Sequence, residues 1–166
     1  TLISTITIKV MIDSEYIQIP DTYFRNYCDK FDTNYDGKIS KSEADAVTTI
    51  DISGKGSFTS STETITHLQE LVDLTGINQF KNLTNVKFFA TYIRRLDLSG
   101  LTKLTSVDCR YSPMLSELNV DGCISLERLQ CGKTKLNYLD LSSCVLLQHL
   151  GVNNTSLRYL NLTNTS

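Results

Sequence analysis

An α/β repeat protein, a solenoid of short parallel strands capped at its N-terminal end by a helix–loop–helix, is the fold class that the sequence predicts. Three observations carry that prediction. Between Leu83 and Leu162 a Leu-x-x-Leu-x-Leu pattern, or a near relative, recurs eight times at spacings of 10 or 11 residues, and such regularity marks stacked coils. Successive units alternate in character, so the full repeat is 21 or 22 residues and holds two short strands. Ahead of the repeats, residues 32–43 carry an acidic loop between two short amphipathic stretches.

Taken in order, Leu2 to Ile12 alternates, with Ile6, Ile8, Val10 and Ile12 on one side, as a strand with one buried face does. Residues 1–16 form this N-terminal strand segment. Residues 17–53 form the cap. Asp21 is a good N-cap, and Phe24, Tyr27, Cys28 and Phe31 fall on one helical stripe. The sequence Asp32-Thr-Asn34-Tyr-Asp36-Gly37-Lys38-Ile39-Ser40-Lys-Ser-Glu43 then matches the EF-hand calcium loop at each diagnostic position. Asp32, Asn34 and Asp36 would offer side-chain oxygens and Lys38 its backbone carbonyl. Ser40 would act directly or through water, and Glu43 would be the bidentate ligand. Gly37 permits the sharp turn. A single loop with no Met-rich groove points to one structural calcium ion rather than a switch. A second helix is expected through Ala44, Ala46 and Val47.

Ile50-Asp51-Ile52 has the form of a first rung, and residues 54–82 form an insertion that joins cap to repeats. Its Gly54–Thr62 part is loop-like. The spacing of Ile65, Leu68, Leu71 and Val72 predicts a short helix over 63–74, with His67 an ordinary surface residue.

Residues 83–166 are the solenoid. Val86, Val107, Leu129 and Leu150 head one strand series, spaced 21, 22 and 21; Leu96, Leu118, Leu139 and Leu160 head the other, spaced 22, 21 and 21. Cys109 and Cys131 share one inward slot on neighbouring rungs, and Cys123 and Cys144 share the slot that holds Leu101. They read as small core fillers, because side chains pointing the same way from stacked rungs give a poor disulfide dihedral. Thr91, Ser112, Thr134 and Thr155 recur three residues after the last inward slot, where a hydroxyl can bond turn backbone.

Bulk composition excludes several classes. A net charge of −2 supplies no field for nucleic acid or an anionic membrane, and no apolar run is long enough for membrane insertion. The five cysteines contain no Cys-x-x-Cys pair, so the zinc spacing is missing. The two histidines stand far apart, with no Gly-x-Ser-x-Gly and no phosphate loop, so no enzyme activity is expected. The chain starts at Thr1 and carries no signal sequence, as expected if an upstream segment has been removed. Its last rung lacks a distinct cap, as expected of a fragment of a longer protein.

The Ile19-Pro20-Asp21 and Phe24 helix, the 32–43 loop, Ile50-Asp-Ile-Ser-Gly-Lys-Gly and the repeats together resemble bacterial secreted or surface-displayed leucine-rich-repeat proteins. The resemblance is to internalin-like proteins of the gut-commensal type, in which an EF-hand-like loop precedes repeats of this length. It implies an extracellular or cell-surface setting and a binding role. The 55–71 insertion departs from that pattern, as do Gly100, Gly122 and Ser143, where such families often have Asn.

On a solenoid the outward residues decide what is bound. Asp97, Asn119, Asp140 and Asn161 form a polar ladder on the second sheet, with Tyr138 and Tyr159 expected to stack beside it; Arg128 and His149 face outward on the first. Tyr138, Tyr159, Arg128 and His149 are therefore the candidate partner site, for a protein or glycan ligand. A solvated face that merely keeps the sheet soluble, a structural spacer and a carbohydrate-binding module are the competing expectations.

Overall fold

The computed structural model describes residues 15–53, 58–59, 64–65 and 71–165. The expected strand over residues 2–12, and His67, lie outside the described residues. Helix α1 (Thr22–Cys28) starts where the Asp21 carboxylate accepts from the Phe24 amide at 2.8 Å, and it runs into a 3-10 turn at Asp29–Phe31. Helix α2 (Lys41–Asp45) opens with a capping box in which Ser40 and Glu43 satisfy each other's backbone N–H groups.

Strand β1 (Thr49–Asp51) begins the solenoid; β2 (Phe58–Thr59) and β3 (Thr64–Ile65) form a small antiparallel pair. The remaining strands are β4 (Asn85–Lys87), β5 (Arg95–Asp97), β6 (Ser106–Asp108), β7 (Glu117–Asn119), β8 (Arg128–Gln130), β9 (Tyr138–Asp140), β10 (His149–Gly151) and β11 (Tyr159–Asn161). Each is three residues, because longer strands would not leave room for the corners of a 21- or 22-residue coil, and the middle side chain is buried in β4 to β9, half-buried in β10 and exposed in β11. The first sheet is continuous and parallel in the order β1-β4-β6-β8-β10. The second sheet is in two pieces, β5-β7 and β9-β11, also parallel. The chain is thus a parallel β-solenoid with leucine-rich-repeat-like coils.

Between the sheets lies one core. Val86, Leu96, Val107, Leu129 and Leu139 fill it with Cys109, Cys123, Cys131 and Cys144, all buried. All five cysteines are free thiols. Burial pushes the Cys131 and Cys123 thiols up to about 12 and the Cys144 thiol to about 11, so they pack as inert small hydrophobes. The hydroxyl ladder is satisfied inside: Thr91 Oγ1 donates to the Phe88 carbonyl at 3.0 Å and lies 3.0 Å from Ser112 Oγ, and Thr134 Oγ1 donates to the Cys131 carbonyl at 2.8 Å. Among the described residues no buried side-chain N or O atom lacks a partner, as a low-dielectric core requires.

Aromatic packing and backbone reach hold the helices on the first coil. Phe80 lies against Phe24 and Phe31, with ring centroids 6.4 and 6.1 Å away. The Tyr27 hydroxyl accepts from the Asp51 amide at 2.9 Å, and Asn82 Nδ2 donates to the Asp45 carbonyl at 2.7 Å. Gly76, at φ +100°, passes beside the Gln18 carbonyl so closely that a Cβ would collide with it.

The expected helix over 63–74 is corrected at 64–65 and 71–74, the parts of it that fall within the described residues. Thr64–Ile65 is strand β3, and Leu71–Leu74 is extended, with Leu71 and Leu74 buried, Val72 exposed and Asp73 bridged to Arg95. The apolar residues of Leu71–Leu74 serve an irregular rung ahead of β5, so their near-helical spacing came from coil geometry and not from a helical face.

Candidate functional site

The acidic loop is built by its own amides. Gly37 N–H donates to Asp32 Oδ2 at 2.8 Å, Asp36 N–H to Asn34 Oδ1 at 2.9 Å, and Lys38 N–H to Asp36 Oδ1 at 2.8 Å. The turn needs left-handed backbone at Tyr35 (φ 59°) and Gly37 (φ 76°), and no heavy atom crowds Gly37. Tyr16 closes one side, its hydroxyl donating to Asp36 Oδ2 at 3.2 Å, and the Arg25 guanidinium donates to the Gly37 carbonyl. Asp32, Asn34 and Asp36 are therefore drawn together around shared donors.

Glu43 is held differently. Its Oε1 accepts from Thr33 N–H at 2.7 Å and Thr33 Oγ1 at 2.9 Å, and its Oε2 accepts from Ser40 N–H and Ser40 Oγ, both at 2.9 Å. The Ser40 amide, ahead of the Thr33 contacts, draws its carboxyl down to about 2 even though burial opposes ionisation. Among the described residues, no three acidic, imidazole or thiol groups stand together as a ready metal cluster. The donor set is nonetheless of hard oxygens in the calcium class. The loop fits such an ion in kind, with Glu43 tied to backbone amides instead of converging with Asp32 and Asp36.

The second candidate is the outward face of the second sheet. Tyr138 and Tyr159, in register on β9 and β11, stack with centroids 4.7 Å apart and planes 4° apart, each about half exposed. Arg128 and His149 are also in register, but on the first sheet, so the structure pairs the four candidate partner residues two by two on different sheets. The Asx ladder has an internal task that the sequence reading did not assign. Asp97 Oδ1, Asn119 Oδ1, Asp140 Oδ1 and Asn161 Oδ1 each accept from the backbone N–H two residues on, at 3.0, 3.0, 2.9 and 3.0 Å. Each ladder residue closes the turn after its strand, and most of the second polar atoms are engaged too: Asp97 Oδ2 accepts from Asn78 Nδ2 at 3.2 Å, Asp140 Oδ2 from the Tyr138 hydroxyl at 3.4 Å, and Asn161 Nδ2 donates to Asp140 Oδ1 at 3.1 Å.

A break in this face is the feature that sequence reasoning missed. Leu98 N–H donates to the Asn119 carbonyl at 2.8 Å and Leu141 N–H to the Asn161 carbonyl at 2.9 Å. The equivalent bond from Val120 N–H to the Asp140 carbonyl is not made. Nor are those from Asn137 and Tyr138 N–H to the Ser116 carbonyl, although Arg158 and Tyr159 N–H both reach the Asn137 carbonyl. Nearby, Lys135 N–H to the Leu115 carbonyl, at 2.8 Å, is the backbone bond that still joins the two coils, and the Ser143 hydroxyl on Asp121 Oδ1 and Cys144 Sγ on the Val120 carbonyl link them through side chains. Two depressions of about 330 and 300 Å³ open there and meet at Leu118, Asn119 and Tyr138. The signal was present in the spacing. Seven residues lie between Phe88 and Leu96, between Cys131 and Leu139 and between Val152 and Leu160, but eight lie between Cys109 and Leu118, across Ser112-Pro113-Met114-Leu115.

A second aromatic cluster lies at the corner after the first sheet. Phe89 and Tyr111 meet at 4.9 Å, and Lys133 Nζ sits 4.3 Å from the centre of the Tyr111 ring. Arg110, over Phe89, is held by a two-pronged pair with Asp108 at 2.9 and 2.7 Å.

No family model matches the chain, and no curated protein matches it. Among solved structures it is similar to the "Functional domain of InlJ from Listeria monocytogenes includes a cysteine ladder", at 20% identity and a TM-score of 0.31. The match covers 72% of this chain and 32% of that one, so the chain spans about a third of that domain's length.

Proposed function

We propose that the chain is a non-enzymatic recognition module that works outside the cell, binding a protein or glycan ligand, with one structural calcium ion in the 32–43 loop. The stacked, half-exposed Tyr138 and Tyr159 beside the open part of the second sheet carry the binding reading. Two large rings held parallel on rigid rungs lose little further freedom when a partner covers them. The reactive groups point the other way: the thiols are buried with raised pKa values, and the ladder hydroxyls are spent on turn carbonyls. The calcium reading is supported by the oxygen set of Asp32, Asn34 and Asp36 and by the open left-handed turn at Gly37. When bound, the ion would neutralise the carboxylates and tie the two helices together; the Lys38 carbonyl, Ser40 and Glu43 would complete its ligands.

Two measurements test this. Immobilised protein is used to capture ligands from extracellular mucosal material, and the double variant Tyr138→Ala, Tyr159→Ala loses them without a change in melting temperature. Capture that survives both substitutions overturns the tyrosine site. Millimolar calcium against chelator is expected to raise the melting temperature. At a concentration 100 times the Kd the gain is about 2.7 kcal/mol, or roughly 5–11 °C for a domain of this size, and Glu43→Gln abolishes it. A wild-type protein that melts identically in both buffers overturns the calcium reading.

A further inference from the structure

We propose that the break between β7 and β9 is a binding cleft for a neutral oligosaccharide, with Tyr138 as its stacking platform. This rests on the recognition role above and names its site and ligand class. Geometry limits what can enter. Cα atoms of β7 and β9 still approach within 8 Å, whereas a third strand between them needs about 9.6 Å, two strand spacings. Strand addition by a peptide is therefore excluded without further opening. Leu118 is the one apolar aliphatic side chain common to both depressions, and at 9% exposure it offers no socket for a protein partner's apolar anchor.

What the cleft does offer suits a sugar ring. Tyr159 covers one face of the Tyr138 ring, and Tyr138 lines both depressions on its β7 side, where a pyranose C–H face can lie against it. The rim supplies both halves of the hydrogen bonds that hydroxyls need. The unpaired Asn137 and Tyr138 N–H groups donate, and Asp97 Oδ2 and Asp140 Oδ2, which already accept from Asn78 Nδ2 at 3.2 Å and from the Tyr138 hydroxyl at 3.4 Å, accept through their remaining lone pairs. Charge selects the class. Asp97, Glu117, Asp121 and Asp140 surround the cleft, and the adjacent Arg95 is engaged by Glu117 at 3.1 Å. Sialylated or sulfated glycans meet a surplus of carboxylates there and are disfavoured.

The test is an array of defined oligosaccharides, neutral and sialylated, probed with the full chain. Hits are followed by titration of Tyr138→Ala, Tyr138→Phe and, as a remote control, Glu127→Ala. Neutral oligosaccharides bind, Tyr138→Ala weakens them about tenfold, and Tyr138→Phe and Glu127→Ala keep wild-type affinity. Sialylated equivalents bind more weakly than their neutral cores. Absence of any neutral hit, preference for the sialylated forms, or equal loss in Glu127→Ala overturns the inference. Neutral hits that Tyr138→Ala leaves intact overturn the cleft but leave a glycan-binding role in place. Capture of a protein that the tyrosine variants release, with no sugar bound, overturns the ligand class while the recognition role stands.

Discussion

Replacing Phe80 with alanine tests whether helices and solenoid share one core. Phe80 is fully buried, and its ring meets Phe24 from α1 and Phe31 from the turn that follows. Truncation of a buried Phe costs about 3–5 kcal/mol, a range that already includes the cavity it leaves. Both rings facing Phe80 are anchored elsewhere, Phe24 on α1 and Phe31 against Tyr27 at 6.0 Å, so the hole cannot collapse easily. The upper half of the range, about 4 kcal/mol, is therefore expected. For a 166-residue chain this lowers the melting temperature by roughly 8–16 °C. Urea unfolding followed by far-UV circular dichroism measures it, and the slope with denaturant should not change, because the same surface is exposed on unfolding. Phe80→Leu, which refills most of the volume, should recover more than half of the loss. A loss below about 1 kcal/mol for Phe80→Ala would falsify the shared core, since it would mean that the helices sit on the first coil without burying the ring.

The cap, the tight glycine turns and the buried thiols each make a further outcome measurable. Glu43 has its carboxyl pulled from 4.5 to about 2 by the Ser40 and Thr33 donors, so its contribution is complete above pH 4.5 and is lost as pH falls towards 2; the stability gap between wild type and Glu43→Gln, measured without calcium, should close over that window, and a gap that widens there is incompatible with the assignment. Gly76→Ala should cost about 2 kcal/mol or more, because left-handed backbone and a collision with the Gln18 carbonyl add, whereas Gly37→Ala, with open space around it, should cost only about 1 kcal/mol; equal urea midpoints for the two variants would remove the collision from the account. A thiol reagent at pH 8 should label none of the five cysteines within minutes in native protein and all five in denaturant; rapid native labelling of Cys109 or Cys131 would contradict their burial.

Most of the solenoid was legible because its rule is local. A three-residue strand with one inward side chain leaves the middle residue of Leu96-Asp97-Leu98 outside, and the corner that follows must bury Leu101 and Leu104, so the spacing is written into every coil. The same rule hid the rung at Leu71–Leu74. Leu68, Leu71 and Val72 mimic a helical stripe over a short window, and the better clue was that Asp73-Leu74-Thr75-Gly76 repeats as Asp97-Leu98-Ser99-Gly100. In both places the Asp carboxylate closes its turn on the residue two further on, at 2.8 and 3.0 Å. The loop's ligand types were equally readable, since residue identity sets them. The posture of Glu43 was not, because the capping box at Ser40 competes for the same carboxylate. The opened second sheet was visible as an extra residue near Pro113, but its effect is tertiary: pairing survives towards β5 and fails towards β9, and spacing alone does not say which side yields.

That asymmetry gives the molecule the mechanics of a bound book. The first sheet is an unbroken spine of five strands, hydrogen-bonded from Thr49 to Gly151. On the opposite side the leaves are stitched in two gatherings, and the core leucines and cysteines fill the thickness between. Bending about the spine moves β7 and β9 apart or together without breaking a backbone bond between them, because none is there to break. The compliant direction of the rod is therefore set by one inserted residue in one coil.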